Sequence, residues 1–369
     1  MNRLFRWDQM GLFLLALAAG ILPFAVPEVC AAALREGLTL CSGPLLLSLF
    51  PFLVVSRLLV QCPESDLLAL PFRLAARGIG IRTPCAARVL CIGFLGGFAP
   101  AASAAAQAVR TGQLTAEEAD ALLPACICSG PSFVVLTVGQ SLRGSAELGV
   151  LLFASQITAN YLTAALLNRF AGVRSVKPGS AAPASPAPPR LDEILADAAI
   201  TYCKLCGFIL FFRMLAAGAG ALLPAGAGTL CAILLEVCSG CDLASRTGRW
   251  GSLLCCAALS VQGLSVLLQV RTICPPEMTL RPLYRSRLLH LPLSLALFYL
   301  LLPGGEADVF STLPVRVLLM RRVPPDCALL VFAVCCMAAC TLRSGIRQVE
   351  QKQMARNAGG CCINSKTLL

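Results

Sequence analysis

The feature that most constrains the fold is an apolar chain that breaks repeatedly at glycine and proline. The clearest stretch runs from Arg88 to Val138, with breaks at 93–100 (GFLGGFAP) and at 129–131 (SGP). In a helix interior, Gly and Pro cost roughly 1 and 3 kcal/mol. Inside a bilayer, a broken backbone persists only where protein or a water-filled cavity satisfies the freed polar groups. Paired broken helices are a usual pointer to a transporter's binding site, so we expect a site where the breaks meet.

The composition places the chain in a membrane. Hydrophobic residues make up 57% of the 369 residues, charged residues 13%, and the mean hydropathy is +0.78. Soluble domains carry about 25% charged residues. We therefore predict an all-α, polytopic integral membrane protein with about eight transmembrane helices and two re-entrant or broken helical elements, arranged as two pseudo-repeated halves. The lipid bilayer is its expected partner.

The formal net charge of +11 does not indicate nucleic-acid binding. The basic residues lie between apolar runs, which is typical of positive-inside loops, and we expect no nucleic-acid partner. Two CxxC pairs, Cys203/Cys206 and Cys238/Cys241, are consistent with either zinc binding or packing by small residues. We favour packing because the first pair lies in an apolar run, and we expect no metal and no cofactor.

No catalytic constellation is apparent, so we expect that the protein is not an enzyme. The single histidine, His290, rules out a Ser-His-Asp arrangement elsewhere in the chain. Next to Pro292, it is interpreted as an interfacial helix residue. No Walker motif or glycine-rich nucleotide loop is present.

The composition also divides the chain. Residues 1–170 form an N-terminal transmembrane half, and 171–190 (AGVRSVKPGSAAPASPAPPR) a Pro/Ala/Ser-rich linker. Residues 191–345 form the second half, and 346–369 a basic tail. Arginine and lysine around the linker place it in the cytoplasm.

Apolar runs of sufficient length predict the crossings, and Thr115 with Glu118 predicts a capping box at the start of an elbow helix. The elements 88–109 and 250–270 are expected to be re-entrant, both opening to the cytoplasm, because an even number of crossings keeps the N-terminus and the linker on one side. The expected crossings are Gly11–Val26, Leu38–Val60, Ser129–Gln140, Leu148–Leu167, Leu191–Ala217, Ala221–Glu236, Leu288–Leu302 and Cys327–Leu342.

Ionisable residues within crossings are functional hypotheses by default, and Lys204, Arg213 and Glu236 qualify. Glu236 is interpreted either as a helix-end residue near water or as a group that couples ions or binds a solute. Gln156 and Asn160 share one helix face, either as contacts between helices or as the wall of a solute cavity.

Residues at the breaks and on this polar face form the predicted solute site. Half-helix N-termini offer free N–H groups, and neutral amide side chains offer donors and acceptors. The predicted solute-binding residues are Gly96, Gly97, Ser129, Gly130, Gln156, Asn160, Glu236, Ser239, Gln262 and Gln269.

These motifs together resemble a known family. A broken glycine helix, an elbow containing EEA, S-G-P-x-F, E-V-x-x-G and a late glycine element ending in Gln resemble the YlbJ-type sporulation integral membrane proteins, which contain the nucleoside-recognition (Gate) domain. The matching residues are Gly93, Gly96, Gly97, Phe98 and Pro100; Glu117, Glu118 and Ala119; Ser129, Gly130, Pro131 and Phe133; Glu236, Val237 and Gly240; and Gly263, Leu264, Ser265 and Gln269. Cys128 and Cys238-Ser239 stand where the family pattern has amide side chains.

The resemblance implies a multi-pass protein of a bacterial cell membrane, in the mother cell or the forespore. It also implies a transporter-like protein that binds or moves a small polar solute, either nucleoside-like or another metabolite. The alternative function is a non-transporting structural or assembly protein of the forespore envelope.

Overall fold

A computed structural model describes residues 2–61, 67–171 and 191–302, and all regular structure in these ranges is helical. The linker after Ala171, the expected crossing Cys327–Leu342 and the tail 346–369 lie outside the described residues. The first half contains α1 (Asn2–Ala25), α2 (Pro27–Ser42), α3 (Pro44–Gln61), α4 (Leu70–Gly78), α5 (Pro84–Gly96), α6 (Phe98–Arg110), α7 (Ala116–Cys126), a π-helix (Ser132–Leu142) and α8 (Ala146–Ala171).

The second half contains α9 (Leu191–Leu222), α10 (Ala225–Leu235), α11 (Val237–Ser245), α12 (Gly251–Val261), α13 (Gly263–Ile273) and α14 (Arg281–Leu301). Three elements are long and apolar enough to cross a membrane, namely Ala146–Ala171, Leu191–Leu222 and Gly248–Ile273. A pair bent by 110°, Leu15–Ala25 with Pro27–Ser42, gives a fourth if it counts as one span. The protein is thus all-helical and membrane-type over the described residues, and the predicted number of about eight crossings is not confirmed.

The N-terminal crossings begin and end elsewhere than the sequence predicted. Pro27 and Pro44 each occupy the first position of a helix, where proline is well tolerated. The expected crossing Leu38–Val60 is therefore split at Gly43 into the end of α2 and α3. Helix α2 packs against α9, where the side chain of Arg213 pairs with Glu36 at 2.7 Å.

A helical hairpin forms at Gly97, within the element predicted to be re-entrant. A Cβ atom on Gly93 would lie 3.2 Å from the Cβ of Ala101, whereas residues eight apart in a continuous helix are separated by about 12 Å. Helices α5 and α6 therefore fold back on each other. Gly97 at the tip has φ +82°, a conformation that favours glycine. The hairpin is longer than the predicted 88–109 because Pro84 starts α5.

A second hairpin forms at Glu236, where the sequence predicted none. A Cβ atom on Gly240 would lie 2.8 Å from the Cα of Ile233, so α11 folds back on α10. This corrects the expected crossing Ala221–Glu236, because α10 has 11 residues and spans only about 16 Å. The expected re-entrant element 250–270 is also corrected, because Gly248–Ile273 is a single element that is long enough to cross a membrane.

Each hairpin is followed by an interrupted helix. Helix α7 begins with the predicted capping box of Thr115 and Glu118, which is confirmed. It stops at Cys126, and the chain resumes as the π-helix after an irregular segment, 127–130. The expected crossing Ser129–Gln140 is therefore an 11-residue π-helix that follows α7. Likewise, α13 follows α12 across a single residue, Gln262.

From α3 onward, and apart from the short helix α4, both halves have the same order of elements: a long helix, a hairpin, an interrupted helix and another long helix. The corresponding long helices pack antiparallel. Between α8 and α14, Asn160 bonds to Arg287 and the earlier Gln156 bonds to the later His290, so the two helices run in opposite directions. Between α3 and α9, Arg57 pairs with Asp197 while the earlier Phe50 meets the later Tyr202.

Candidate functional site

The tip of the first hairpin touches the interruption of α7. A Cβ atom on Gly97 would lie 2.6 Å from the nitrogen of Gly130, and one on Gly130 would lie 3.3 Å from the oxygen of Gly96. Ser129, in the same segment, is 6% exposed. The structure thus brings Gly96, Gly97, Ser129 and Gly130 together, as the sequence predicted. The backbones approach so closely that Gly97 has no room for a side chain, and a Cβ atom on Gly130 would be a tight contact.

The tip of the second hairpin touches the interruption between α12 and α13. A Cβ atom on Gly263 would lie 2.9 Å from the nitrogen of Glu236. Gln262 has φ +66° and Gly263 has φ +69°. A non-glycine residue in this region is uncommon, and such conformations cluster at functional sites. The predicted residues Glu236 and Gln262 therefore lie at one contact.

The Glu236 carboxylate binds the start of α11. It accepts hydrogen bonds from the Cys238 nitrogen at 2.8 Å, from the Ser239 nitrogen at 2.7 Å and from the Ser239 hydroxyl at 2.9 Å. A carboxylate at a helix N-terminus satisfies free N–H groups and interacts favourably with the helix dipole. Glu236 and Ser239 thus build the hairpin tip, and a role in ion coupling or solute binding stays a prediction.

Arg287 on α14 joins the two interrupted helices. It is 8% exposed, and its guanidinium donates to the carbonyl oxygens of Ile127 and Ser260, each at 3.4 Å, and to Asn160 Oδ1 at 3.2 Å. Ile127 directly follows α7, and Ser260 lies two residues before the interruption at Gln262. Within the described ranges, no carboxylate pairs with this buried cation.

The polar face of α8 lies against these groups. Gln156 donates to the Ser260 hydroxyl at 2.9 Å and to the Cys256 carbonyl at 3.2 Å, and Asn160 donates to the Ile127 carbonyl at 3.2 Å. These are contacts between helices, which is one of the two predicted roles. Both residues also lie next to the interruptions, so this polar face of α8 remains part of the candidate site.

His290 is a core residue, which corrects its interpretation as interfacial. It is 1% exposed, and its Nε2 lies 3.2 Å from the Gln156 carbonyl oxygen. Sequence reasoning missed both His290 and Arg287 as site residues. The signal was present, because Arg287, His290 and Ser294 have the i, i+3, i+7 spacing of one helix face.

Several buried polar atoms near the interruptions have no hydrogen-bond partner among the described residues. An unpaired buried polar atom costs about 1–3 kcal/mol, so this number of them within a few helices is unusual for a well-packed core. They offer mainly acceptor positions: Gln156 Oε1, Thr163 Oγ1, Gln262 Oε1 and His290 Nδ1.

The remaining predicted residues lie apart from this cluster. Gln269 is 2% exposed and donates to the Ser265 hydroxyl at 2.9 Å. It lies two turns beyond Gln262 and lines a separate cavity, together with Lys204. Arg213, paired with Glu36, belongs to the contact between α2 and α9.

The CxxC cysteines show no metal-binding geometry. Cys203 is exposed and Cys241 buried, while Cys206 and Cys238 are half-buried. Within the part of the chain that the structure describes, no three or more His, Cys, Asp or Glu side chains are grouped as metal ligands. Packing by small residues remains our prediction for these thiols.

The chain matches no protein-family model, and no curated protein or solved structure matches it either. The resemblance to Gate-domain proteins therefore rests on the sequence motifs alone.

Proposed function

We propose that this protein is a transporter-like membrane protein that binds or moves a small polar solute between its two interrupted helices. One observation carries the proposal: each hairpin tip, at Gly97 and at Glu236, touches the interruption of the helix that follows it. Interrupted helices free backbone N–H and C=O groups that lipid cannot satisfy. Solute sites of secondary transporters are formed by such discontinuous helices, near the middle of the bilayer.

The antiparallel relation of the two halves supports the proposal. If the long helices cross the membrane, the first hairpin opens to the linker side, and the second opens to the opposite side. The linker side carries more arginine, which favours a cytoplasmic assignment by the positive-inside rule. Two halves related in this way form an inverted repeat, a common build of transporters that expose one site alternately to either side.

The chemistry of the cluster favours a neutral or weakly acidic solute with several hydroxyl or amine groups. The amide oxygens of Gln156 and Gln262 are unpaired acceptors, and Arg287 is a buried donor. The resemblance to Gate-domain proteins suggests a nucleoside-like solute and a role in the membranes of a sporulating bacterium. These assignments of solute and location are part of the proposal.

A thermal-stabilisation screen tests this function, because a solute that binds only the folded state raises its apparent stability. The purified chain is heated with single nucleosides, nucleobases, amino acids and sugars. We expect at least one class to raise the melting temperature, and the same solute to enter proteoliposomes. The shift should disappear in Gln156→Ala and persist in Thr229→Ala, a half-buried position on α10 outside the cluster.

A non-transporting structural protein is the second candidate, and one observation favours it. The side chains of Gln156, Asn160 and Arg287 already bond to neighbouring helices, so the cluster has a structural use without a solute. If none of the screened compounds changes the melting temperature and none is taken up, the structural function is the correct one.

A further inference from the structure

A cavity of about 150 Å³ lies on the linker side of the protein, away from the hairpin tips. Four helices contribute to it: the end of α3, the second half of α6, the first turns of α9 and the end of α13. Its polar and charged lining residues are Arg57, Ser103, Arg110, Asp197, Thr201, Lys204, Gln269 and Thr272.

Positive charge dominates this lining. Arg57, Arg110 and Lys204 face a single carboxylate, Asp197. Arg110 and Lys204 are exposed and form no ion pair with any described residue. Asp197 is already paired with Arg57, so the two exposed cations leave the cavity with an excess of positive charge.

Arg57 is held in place for binding. It is 7% exposed, and its guanidinium donates to Ser103 Oγ and Thr201 Oγ1, each at 3.3 Å, and to the Asp197 carboxylate. These three bonds use three of the five N–H donors of a guanidinium. Two N–H groups of a buried and oriented cation therefore remain for another acceptor.

A second, independent feature points to a ligand. Gln269 is 2% exposed and lines the cavity, and its Oε1 has no partner among the described residues. This buried amide oxygen is an unsatisfied polar group at the wall of the cavity. If the Gln269 amide is flipped, the same position donates instead, because the Ser265 hydroxyl can serve as either donor or acceptor.

We propose that this cavity binds a phosphate group, either as inorganic phosphate or as part of a small phosphate-bearing metabolite or lipid headgroup. Arginine and lysine are the usual phosphate-binding side chains, and arginine binds phosphate oxygens with two parallel hydrogen bonds. A cavity of about 150 Å³ has room for an ion of the size of phosphate. This site is separate from the proposed solute site.

Calorimetric titration of the full chain with inorganic phosphate tests the proposal. The protein is held in a neutral detergent and a phosphate-free chloride buffer. We expect saturable binding with a Kd below about 1 mM. The double variant Arg110→Gln/Lys204→Gln should weaken binding at least about tenfold, since it removes two charge-assisted contacts. The matched control Arg77→Gln removes an exposed cation that lies on the same side but outside the cavity. Its Kd for phosphate should stay within about twofold of the wild-type value.

A lipid arm identifies the source of the phosphate. The titration is repeated in nanodiscs of phosphatidylcholine with and without phosphatidylglycerol. Competition by phosphatidylglycerol assigns the cavity to a lipid headgroup, and its absence assigns it to a soluble phosphate. The proposal is overturned if inorganic phosphate does not bind in detergent, or if the double variant binds as well as the wild type. Nucleosides lack phosphate, so the result of the thermal-stabilisation screen with nucleosides does not depend on the result of the phosphate titration.

Discussion

Gly263 lies against the backbone of Glu236, so closely that a Cβ atom on the glycine would stand 2.9 Å from the Glu236 nitrogen. Glu236 is the tip of a hairpin, and Gly263 begins the second part of an interrupted helix. The same relation joins Gly97 to Gly130 in the first half. Backbone meets backbone at both contacts, which is possible only where at least one partner has no side chain.

Gly97→Leu should lower the melting temperature and abolish solute binding, while leaving membrane insertion intact. At φ +82° and ψ −163°, a region essentially restricted to glycine, a side chain costs roughly 1–3 kcal/mol, and its Cβ would also overlap the Gly130 nitrogen. Gly207→Leu is the matched control, because a Cβ atom at this exposed position meets nothing within 4 Å. Fluorescence-detected thermal unfolding in detergent gives the readout. Equal melting temperatures for the two variants would contradict the close contact.

Gln262→Gly should separate stability from function. The substitution removes a non-glycine residue from φ +66° and relieves roughly 1–2 kcal/mol of backbone strain, against the loss of one hydrogen bond to the Leu259 carbonyl. We expect a melting temperature equal to or above that of the wild type, with solute binding lost. Loss of stability together with retained binding would show that the side chain serves the fold alone.

Asp120→Asn should destabilise the contact between the two halves. The buried carboxylate on α7 accepts from the Thr279 nitrogen at 2.8 Å, the Thr279 hydroxyl at 2.6 Å and the Leu280 nitrogen at 3.1 Å, just before α14. Hydrogen bonds to charged groups contribute about 1.5–3 kcal/mol each, so we expect a loss of about 2 kcal/mol in the free energy of unfolding. Asp242→Asn breaks an exposed pair with Arg246 and should cost less than about 1 kcal/mol. Similar losses would refute the role of Asp120.

The fold was predictable where the sequence carries its own helix breakers. Gly96, Gly97 and Pro100 mark the first hairpin, and the structure has its tip at Gly97. The second hairpin was missed because Leu235-Glu236-Val237 contains no breaker. There the turn depends on the Glu236 carboxylate, which binds the first N–H groups of α11. That tertiary contact has no sequence pattern of its own.

The site was predictable in part. The i, i+4 spacing of Gln156 and Asn160 placed both on one face, and the structure puts that face beside the interruptions. Arg287 fell just outside the predicted crossing Leu288–Leu302, because arginine near the end of a crossing usually marks the cytoplasmic side. Its burial depends on acceptors from α7, α8 and α12, which are distant in sequence, so charge patterning could not reveal it.

Site-directed cysteine labelling of intact cells tests most directly the central claim, that the two halves are inverted hairpin-and-crossing units. Single cysteines are introduced at exposed positions in a background from which the 21 native cysteines are removed, and a membrane-impermeant thiol reagent is applied outside. Arg77→Cys and Glu117→Cys, which flank the first hairpin, should both be protected. Arg249→Cys and Glu277→Cys lie at opposite ends of the interrupted helix formed by α12 and α13. They should differ in labelling, with only Arg249→Cys labelled. Labelling of Arg249→Cys and Glu277→Cys from the same side would contradict the inverted arrangement.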